Sequence, residues 1–443
     1  MRAVLTDGPE RKHLFALGWP MLVGIIAVIG FNVVDTFFIA QLGEIQLAAI
    51  SYTFPIVTLM ASIALGLGAG VSSLVSRSLG RGEKHRTCAY TTDGLSLSLL
   101  IVVLFTALGL ATIDPVFRMM GAEAETLPLI RDYMSIWYLN MVFVVVPMVG
   151  NSVIRATGNA RFPAAVMIFA GVVNAILDPL LIFGLWGFPR MELEGAALAT
   201  LISRMLTFIA AIYLLHYRKQ MLVNPFRGVA EVIGNWKSIL SLGAVNALNN
   251  TVVPLSALLM TAYVSQFGEQ SVAAFGIGTR IESLVMIPII AVAAALSPFA
   301  GQNWGAKKQN RIENILTEAK KFTFCWLAFI FVLFAFGLES MIGWFTQNAN
   351  VSGLAWQYVM LVLPSMIPLA AVLYINTIYS ATGRPIVSLR LTVFRVLVVL
   401  LPMAWLLMQF FNVTGVFVAI AFANLAGGLL AYFIYQYRFK PAN

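Results

Sequence analysis

Charge is scarce in this chain. Asp, Glu, Lys and Arg make up 11% of its 443 residues, while 60% are hydrophobic. A soluble domain is nearer a quarter charged. So few charges cannot tile a water-facing surface, which excludes an ordinary soluble fold and leaves the bilayer as solvent for most of the chain. Cysteine is almost missing as well. Cys88 and Cys325 lie in separate apolar regions, which excludes a disulfide framework and a cysteine-held metal cluster. No small-residue cleavage site follows the first apolar stretch, and that stretch is longer than the core of a signal peptide. It is expected to be kept as the first spanning helix. The net charge of +9 comes from basic residues spaced along short loops, the arrangement that orients a membrane protein and not the patch that binds nucleic acid.

What is present is apolar length. Stretches able to span a bilayer fall at about 14–40, 46–76, 88–113, 130–154, 162–184, 195–217, 237–265, 271–301, 322–346, 355–381, 386–410 and 413–437. Lys and Arg divide between alternate connections as about 22 against 3. The poor side holds Arg118, Arg131 and Arg190, and the rich side runs from Arg2, Arg11 and Lys12 to Arg438 and Lys440. The rich side is expected to be cytoplasmic. Both termini are then inside, which requires an even number of spans, in a multi-pass protein of the plasma (inner) membrane.

The chain also repeats. Gly18 recurs as Gly243, Gly43 as Gly268, Ala48 as Ala273, Gly80 as Gly305, and Ala156-Thr157-Gly158 as Ala381-Thr382-Gly383, every pair at one and the same offset. This predicts an all-α integral membrane protein of twelve transmembrane helices, in two six-helix lobes with a central cleft. Lobe one is 1–217, a cytoplasmic linker is 218–236, and lobe two is 237–443. Six spans per lobe give both lobes one orientation, so a pseudo-twofold axis along the membrane normal should relate them. Such a frame serves alternating access, and it points to movement of a solute and away from an enzyme.

Ionisable residues inside spans are costly and are functional candidates by default. Asp35 lies deep in span 1 and Asp178 deep in span 5, with Asn174 one turn before Asp178 and on the same face. Both spans run outward, so the aspartates share the outer half of the membrane. If the spans are neighbours, the three residues form a cluster. Two carboxylates in a low-dielectric site resist being charged together, so the cluster suits a proton or a small cation held between oxygens. The repeat mates of Asp35, Asn174 and Asp178 are Met260, Val399 and Met403. The carboxylates are not duplicated with the scaffold, which argues for a task done in the first lobe. Pro20, followed by Gly24 and Gly30, gives span 1 a hinge, and its repeat mate is Val245. Arg280 and Glu282 in span 8 are candidate cleft charges of the second lobe, and are not a self-pair because residues i and i+2 diverge on a helix. Arg204 and Arg395 read as neutralising charges between helices or as a charged rim. Asp93, Arg77 and Arg81 read as interfacial.

With these residues in place the chain resembles the multidrug and toxic compound extrusion (MATE) transporters along nearly its whole length. The likeness rests on Pro20 and Asp35 in the first helix, Ser-Leu-Gly-Arg-Gly at 78–82, Arg-Ala-Thr-Gly-Asn at 155–159, Asn174 with Asp178-Pro179, the Gly-x-Ala run at 195–199 and Ala-Thr-Gly at 381–383. The resemblance implies two lobes around a V-shaped cleft and antiport, in which inward H⁺ or Na⁺ drives export. It implies a first-lobe cation site like that of the DinF-like branch, at Asp35, Asn174 and Asp178 with the Thr200 hydroxyl and the Ala196 carbonyl. Bending of span 1 at Pro20 would close that pocket. Span 10 contains no acidic residue, unlike the sodium-coupled NorM-like branch, which argues against a second-lobe cation site.

The expected substrates are amphipathic, cationic, drug-like organic compounds, because an interior rich in methionine and aromatics favours breadth. The expected protein is a monomer in the lipid bilayer, with no cofactor beyond its coupling ion and no nucleic-acid partner. The alternative is a flippase for lipids or lipid-linked precursors in the same superfamily. A prenyltransferase-like enzyme would need several carboxylates on neighbouring turns to hold Mg²⁺ and pyrophosphate, and one aspartate per helix is too few.

Overall fold

A computed structural model describes residues 3–225 and 227–438. Residues 1, 2, 226 and 439–443, with Arg2 and Lys440 of the basic count, lie outside the described residues. The chain is helical almost throughout, as it must be where lipid offers no hydrogen bonds to the backbone. The first lobe contains α1 (Glu10–Ala40), α2 (Glu44–Gly80), α3 (Lys84–Met119), α4 (Leu127–Ala156), α5 (Arg161–Phe183) and α6 (Glu192–Tyr213), which a π-helical turn carries on to Arg218. The second contains α7 (Val229–Ser265), α8 (Glu269–Gly305), α9 (Gln309–Gly343), α10 (Ala349–Ala381), α11 (385–411) and α12 (413–438). α7 begins inside the stretch 218–236 because its first two turns project beyond the apolar segment.

Eleven continuous helices among the described residues are long and apolar enough to cross a membrane, and the last of them, Pro385–Tyr437, has 53 residues. At 1.5 Å per residue a straight helix of that length would reach ~80 Å, more than twice a hydrocarbon core of about 30 Å. It reverses at Asn412, whose φ of 52° and ψ of −139° leave the helical region. A Cβ on Gly415 would lie 2.3 Å from the Leu407 carbonyl oxygen, an approach that only an antiparallel hairpin permits between positions so close in the chain. The twelve spans of the sequence are thus present.

The lobes meet at their basic end. A Cβ on Gly66 would lie 2.5 Å from the Ala247 nitrogen, and one on Gly70 would lie 2.9 Å from the Gly243 nitrogen, so glycines bring α2 against α7 almost backbone to backbone. Ser73 donates to the Ala381 carbonyl at 2.9 Å. Gln302 donates to the Ala156 carbonyl, the repeat mate of that acceptor, at 2.7 Å. Within the second lobe, Ser380 on α10 donates to Asn246 on α7 at 2.6 Å, beside that seam.

Two connecting segments cross between lobes at the same end. The stretch before α1 lies on the second lobe. Leu5 is buried and donates its N–H to Gln302, while Asn303 donates to the Leu5 carbonyl and Lys308 to the Thr6 carbonyl. The stretch before α7 lies on the first lobe. The Val223 N–H donates to Thr92 and Arg227 donates to the Asp93 carboxylate, as does Asn235 from the start of α7. Asp93, near the basic end of α3, is therefore fully buried in a junction between segments. Arg77, read as an interfacial anchor, instead bonds the Ser73 carbonyl at 3.0 Å and lies against Gly383 of the second lobe.

Candidate cation site of the first lobe

The register of α1 on α5 follows from two glycines. A Cβ on Gly24 would touch Ala164, and one on Gly171 would touch Phe31. The offset in number is the same for both pairs, so the helices run parallel at constant stagger. Position 35 is then level with position 175, between Asn174 and Asp178. A one-turn spacing on α5 and neighbouring α1 thus bring the three residues together, as the sequence pattern requires.

The cluster is buried and short of partners. Asn174 and Asp178 are fully buried. The Asn174 amide donates to Asp178 Oδ1 at 3.2 Å and to Thr200 Oγ1 at 3.4 Å, so α6 contributes Thr200. Three oxygens remain buried with no hydrogen-bond partner: Asp35 Oδ1, Asn174 Oδ1 and Asp178 Oδ2. Buried polar atoms are nearly always satisfied, and three orphaned acceptors on three neighbouring residues fit a proton or a small cation. Asp35 makes no direct hydrogen bond to the other two. It acts on Asp178 through its charge. Ala196 is buried one turn before Thr200 on α6.

Two further side chains act on the cluster, Tyr133, which sequence reasoning passed over, and Arg204, which it read as a neutralising or rim charge. The Tyr133 phenol on α4 lies in the field of both Asp35 and Asp178. Arg204, one turn beyond Thr200, sits 5.2 Å from the centroid of the Phe31 ring and acts on Asp35 through its charge. Neither forms an ion pair within 4.0 Å among the described residues. Tyr133 carried a usable signal, because its repeat mate is also a tyrosine, Tyr358. Pro20 lies within an α1 that stays helical from Glu10 to Ala40. In the second lobe Arg280 is exposed, while Glu282 turns inward and accepts from the Tyr358 hydroxyl at 2.5 Å.

Comparison with known proteins agrees with this architecture. The family profile MatE matches residues 20–180 and again 246–406, one match in each lobe. The chain is 36% identical over 439 residues to the FAD transporter of Shewanella oneidensis, covering 99% of this chain and 97% of that one. It is 26% identical to the probable multidrug resistance protein YoeA of Bacillus subtilis, covering 90% of this chain and 87% of that one. A solved structure described as the outward-facing conformation of a multidrug resistance MATE family transporter superposes with a TM-score of 0.91 at 26% identity, covering 99% of this chain and 97% of its own. Two matched repeats, twelve spans and full-length likeness lead to one conclusion: the chain belongs to the MatE family of multidrug and toxic compound extrusion transporters, and it is a membrane transporter and not an enzyme.

Proposed function

We propose that this transporter is a secondary active exporter in which cation entry at Asp35, Asn174 and Asp178 drives amphipathic organic compounds out of the cell. The observation that carries the reading is the set of three buried, unpartnered oxygens in the first lobe, at a place where the second repeat has only Met260, Val399 and Met403. The lobes are in contact at their basic end, and closure at one end is one of the two states that alternating access needs. With the basic end cytoplasmic, as the Lys and Arg asymmetry supports, closure there is closure toward the cytoplasm, and the buried cluster lies in the outer half of the membrane, on the side from which external protons arrive. Neutralising Asp35 would release the charge it holds against Asp178 and let α1 bend at Pro20. Coupling requires only that the two charge states favour different conformations. The working unit is a monomer in the inner membrane.

The 36% relative named a FAD transporter supports a second reading of the substrate. On it the cargo is a flavin dinucleotide, an aromatic compound carrying negative charge in place of a cationic drug. One experiment addresses both. Proteoliposomes holding the purified protein receive an imposed pH gradient or an imposed Na⁺ gradient, and ethidium and FAD are followed in turn. Export of ethidium under the pH gradient supports the main reading, and export of FAD alone replaces its substrate. Transport of neither under either gradient overturns both.

A further inference from the structure

The repeat carries a tyrosine where it does not carry the aspartates. Tyr133 on α4 and Tyr358 on α10 are separated by the repeat offset, so they occupy equivalent places on the fourth helix of each lobe. Tyr133 lies in the field of the first-lobe carboxylates. Tyr358 donates its hydroxyl to Glu282 Oε2 at 2.5 Å. Each lobe therefore has a tyrosine at this place, bonded to an acid of α8 in the second lobe and within the field of the acids of α1 and α5 in the first. Position-by-position comparison of carboxylates misses this, because the acid has changed helix.

The second-lobe arrangement is built, in the sense that several elements hold it. Gly278 stands one turn before Glu282, and a Cβ there would lie 2.3 Å from Tyr358 Cδ1. Only glycine admits the ring beside the carboxylate. Phe275 and Phe417 meet the Tyr358 ring edge to face at centroid distances of 5.6 and 5.1 Å. Arg395 on α11 faces Glu282 through its charge without an ion pair within 4.0 Å among the described residues. Its Nη1 donates to Asn424 Oδ1 at 2.8 Å, and Asn424 donates to Ser365 Oγ at 3.0 Å. Its Nε is buried and has no acceptor. Ser365 closes a 3₁₀ break in α10, and Arg395 lies in a π-helical turn of α11. Such irregular turns mark places where a helix can shift.

We propose that Glu282 is a second proton-binding site of the transport cycle, which rests on the exporter reading above. The chemistry selects a proton over a metal ion. Among the described residues Tyr358 supplies the one oxygen bonded to the carboxylate, whereas a metal cation takes a shell of several oxygens. The surrounding side chains leave no void large enough for a water molecule. The permanent guanidinium of Arg395 repels any metal cation that approaches. Among the described residues the charged or titratable groups that face Glu282 are Tyr358 from α10 and Arg395 from α11, while Arg280 on its own helix is exposed. A proton taken from the outer side converts the carboxylate to the acid and removes the charge opposite Arg395. That frees the segment around the π turn to rearrange, and the proton leaves to the inner side when the lobes reopen there.

The test is infrared difference spectroscopy of the full-length protein in liposomes between acidic and neutral pH, reading the carbonyl stretch of protonated carboxylic acids. Glu282→Gln should remove a pH-dependent acid band that Asp35→Asn leaves in place, and Glu282→Asp should retain it. Tyr358→Phe keeps the acid and should shift the pH at which the band appears, which protects the test if Glu282→Gln fails to fold. Ethidium export under a pH gradient should fall roughly tenfold in Glu282→Gln, within the usual span of coupling between sites. A spectrum unchanged by Glu282→Gln overturns the inference. Full export by Asp35→Asn sinks the first-lobe reading instead, so the two failures are distinguishable.

Discussion

Gly80 and Gly305 are repeat mates, and each lies against the backbone of the residue three positions before the other. A Cβ on Gly80 would sit 2.0 Å from the Gln302 carbonyl oxygen, and one on Gly305 would sit 2.2 Å from that of Arg77. The pseudo-twofold axis therefore passes between the basic ends of α2 and α8. The two glycines set how tightly the lobes close there.

Gly80→Ala should loosen that closure. Gly80 ends α2, where the gain of about 0.5–1 kcal/mol that alanine brings over a mid-helix glycine is not available in full, and overpacking against backbone costs typically ~1–3 kcal/mol. Thermal unfolding in detergent should show a lower midpoint. Gly337→Ala, at a position where a Cβ meets nothing within 4 Å, should be neutral or slightly stabilising. Equal midpoints for the two variants would show that the close approach is not under constraint.

Asp35→Asn should insert and fold yet lose gradient-driven export, because it fixes the neutral state. Asp178→Asn should impair export by removing the charge that Asp35 opposes. Export at matched membrane expression is the measurement, and an Asp35→Asn variant with wild-type export ends the coupling scheme.

Pro20→Ala restores a backbone hydrogen bond within α1. The expected variant is at least as stable as wild type in a thermal melt and exports poorly. Unimpaired export would show that α1 does not need to bend at this point.

Asp93 is fully buried against Arg227, so losing one partner strands the other charge. Arg227→Ala should destabilise by about 3–5 kcal/mol. Replacing both by Leu should recover much of that loss. Urea unfolding of the single and double variants checks this, and a double variant as weak as the single would remove the ion pair from the explanation.

Orientation is checked by labelling in intact cells. With Cys88 and Cys325 replaced by Ser, a cysteine placed at Gly121 or Gly187 should react with an impermeant maleimide. One at Gly82 or Lys307 should react only after the membrane is opened. The reverse pattern would invert the topology.

The spans, the twofold repeat and the placing of Asp35, Asn174 and Asp178 were legible in the sequence for a physical reason. A bilayer imposes length, apolarity and charge asymmetry residue by residue, and a deep carboxylate stands out against that background. Helical spacing put Asn174 and Asp178 on one face, and the common direction of spans 1 and 5 put Asp35 at their depth. The tertiary structure decided which helices are neighbours. It set α1 on α5 through Gly24 and Gly171, gave Tyr358 to Glu282 through the space at Gly278, and buried Asp93 under Arg227 from 134 residues away. These pairings join residues far apart in the chain whose types are common in loops and helix ends, so no local period announces them. The break at Asn412 was legible too, since the sequence reading ends one span at 410 and begins the next at 413. What the packing of α11 against α12 added is how tightly the chain turns there, with Gly415 against the Leu407 carbonyl.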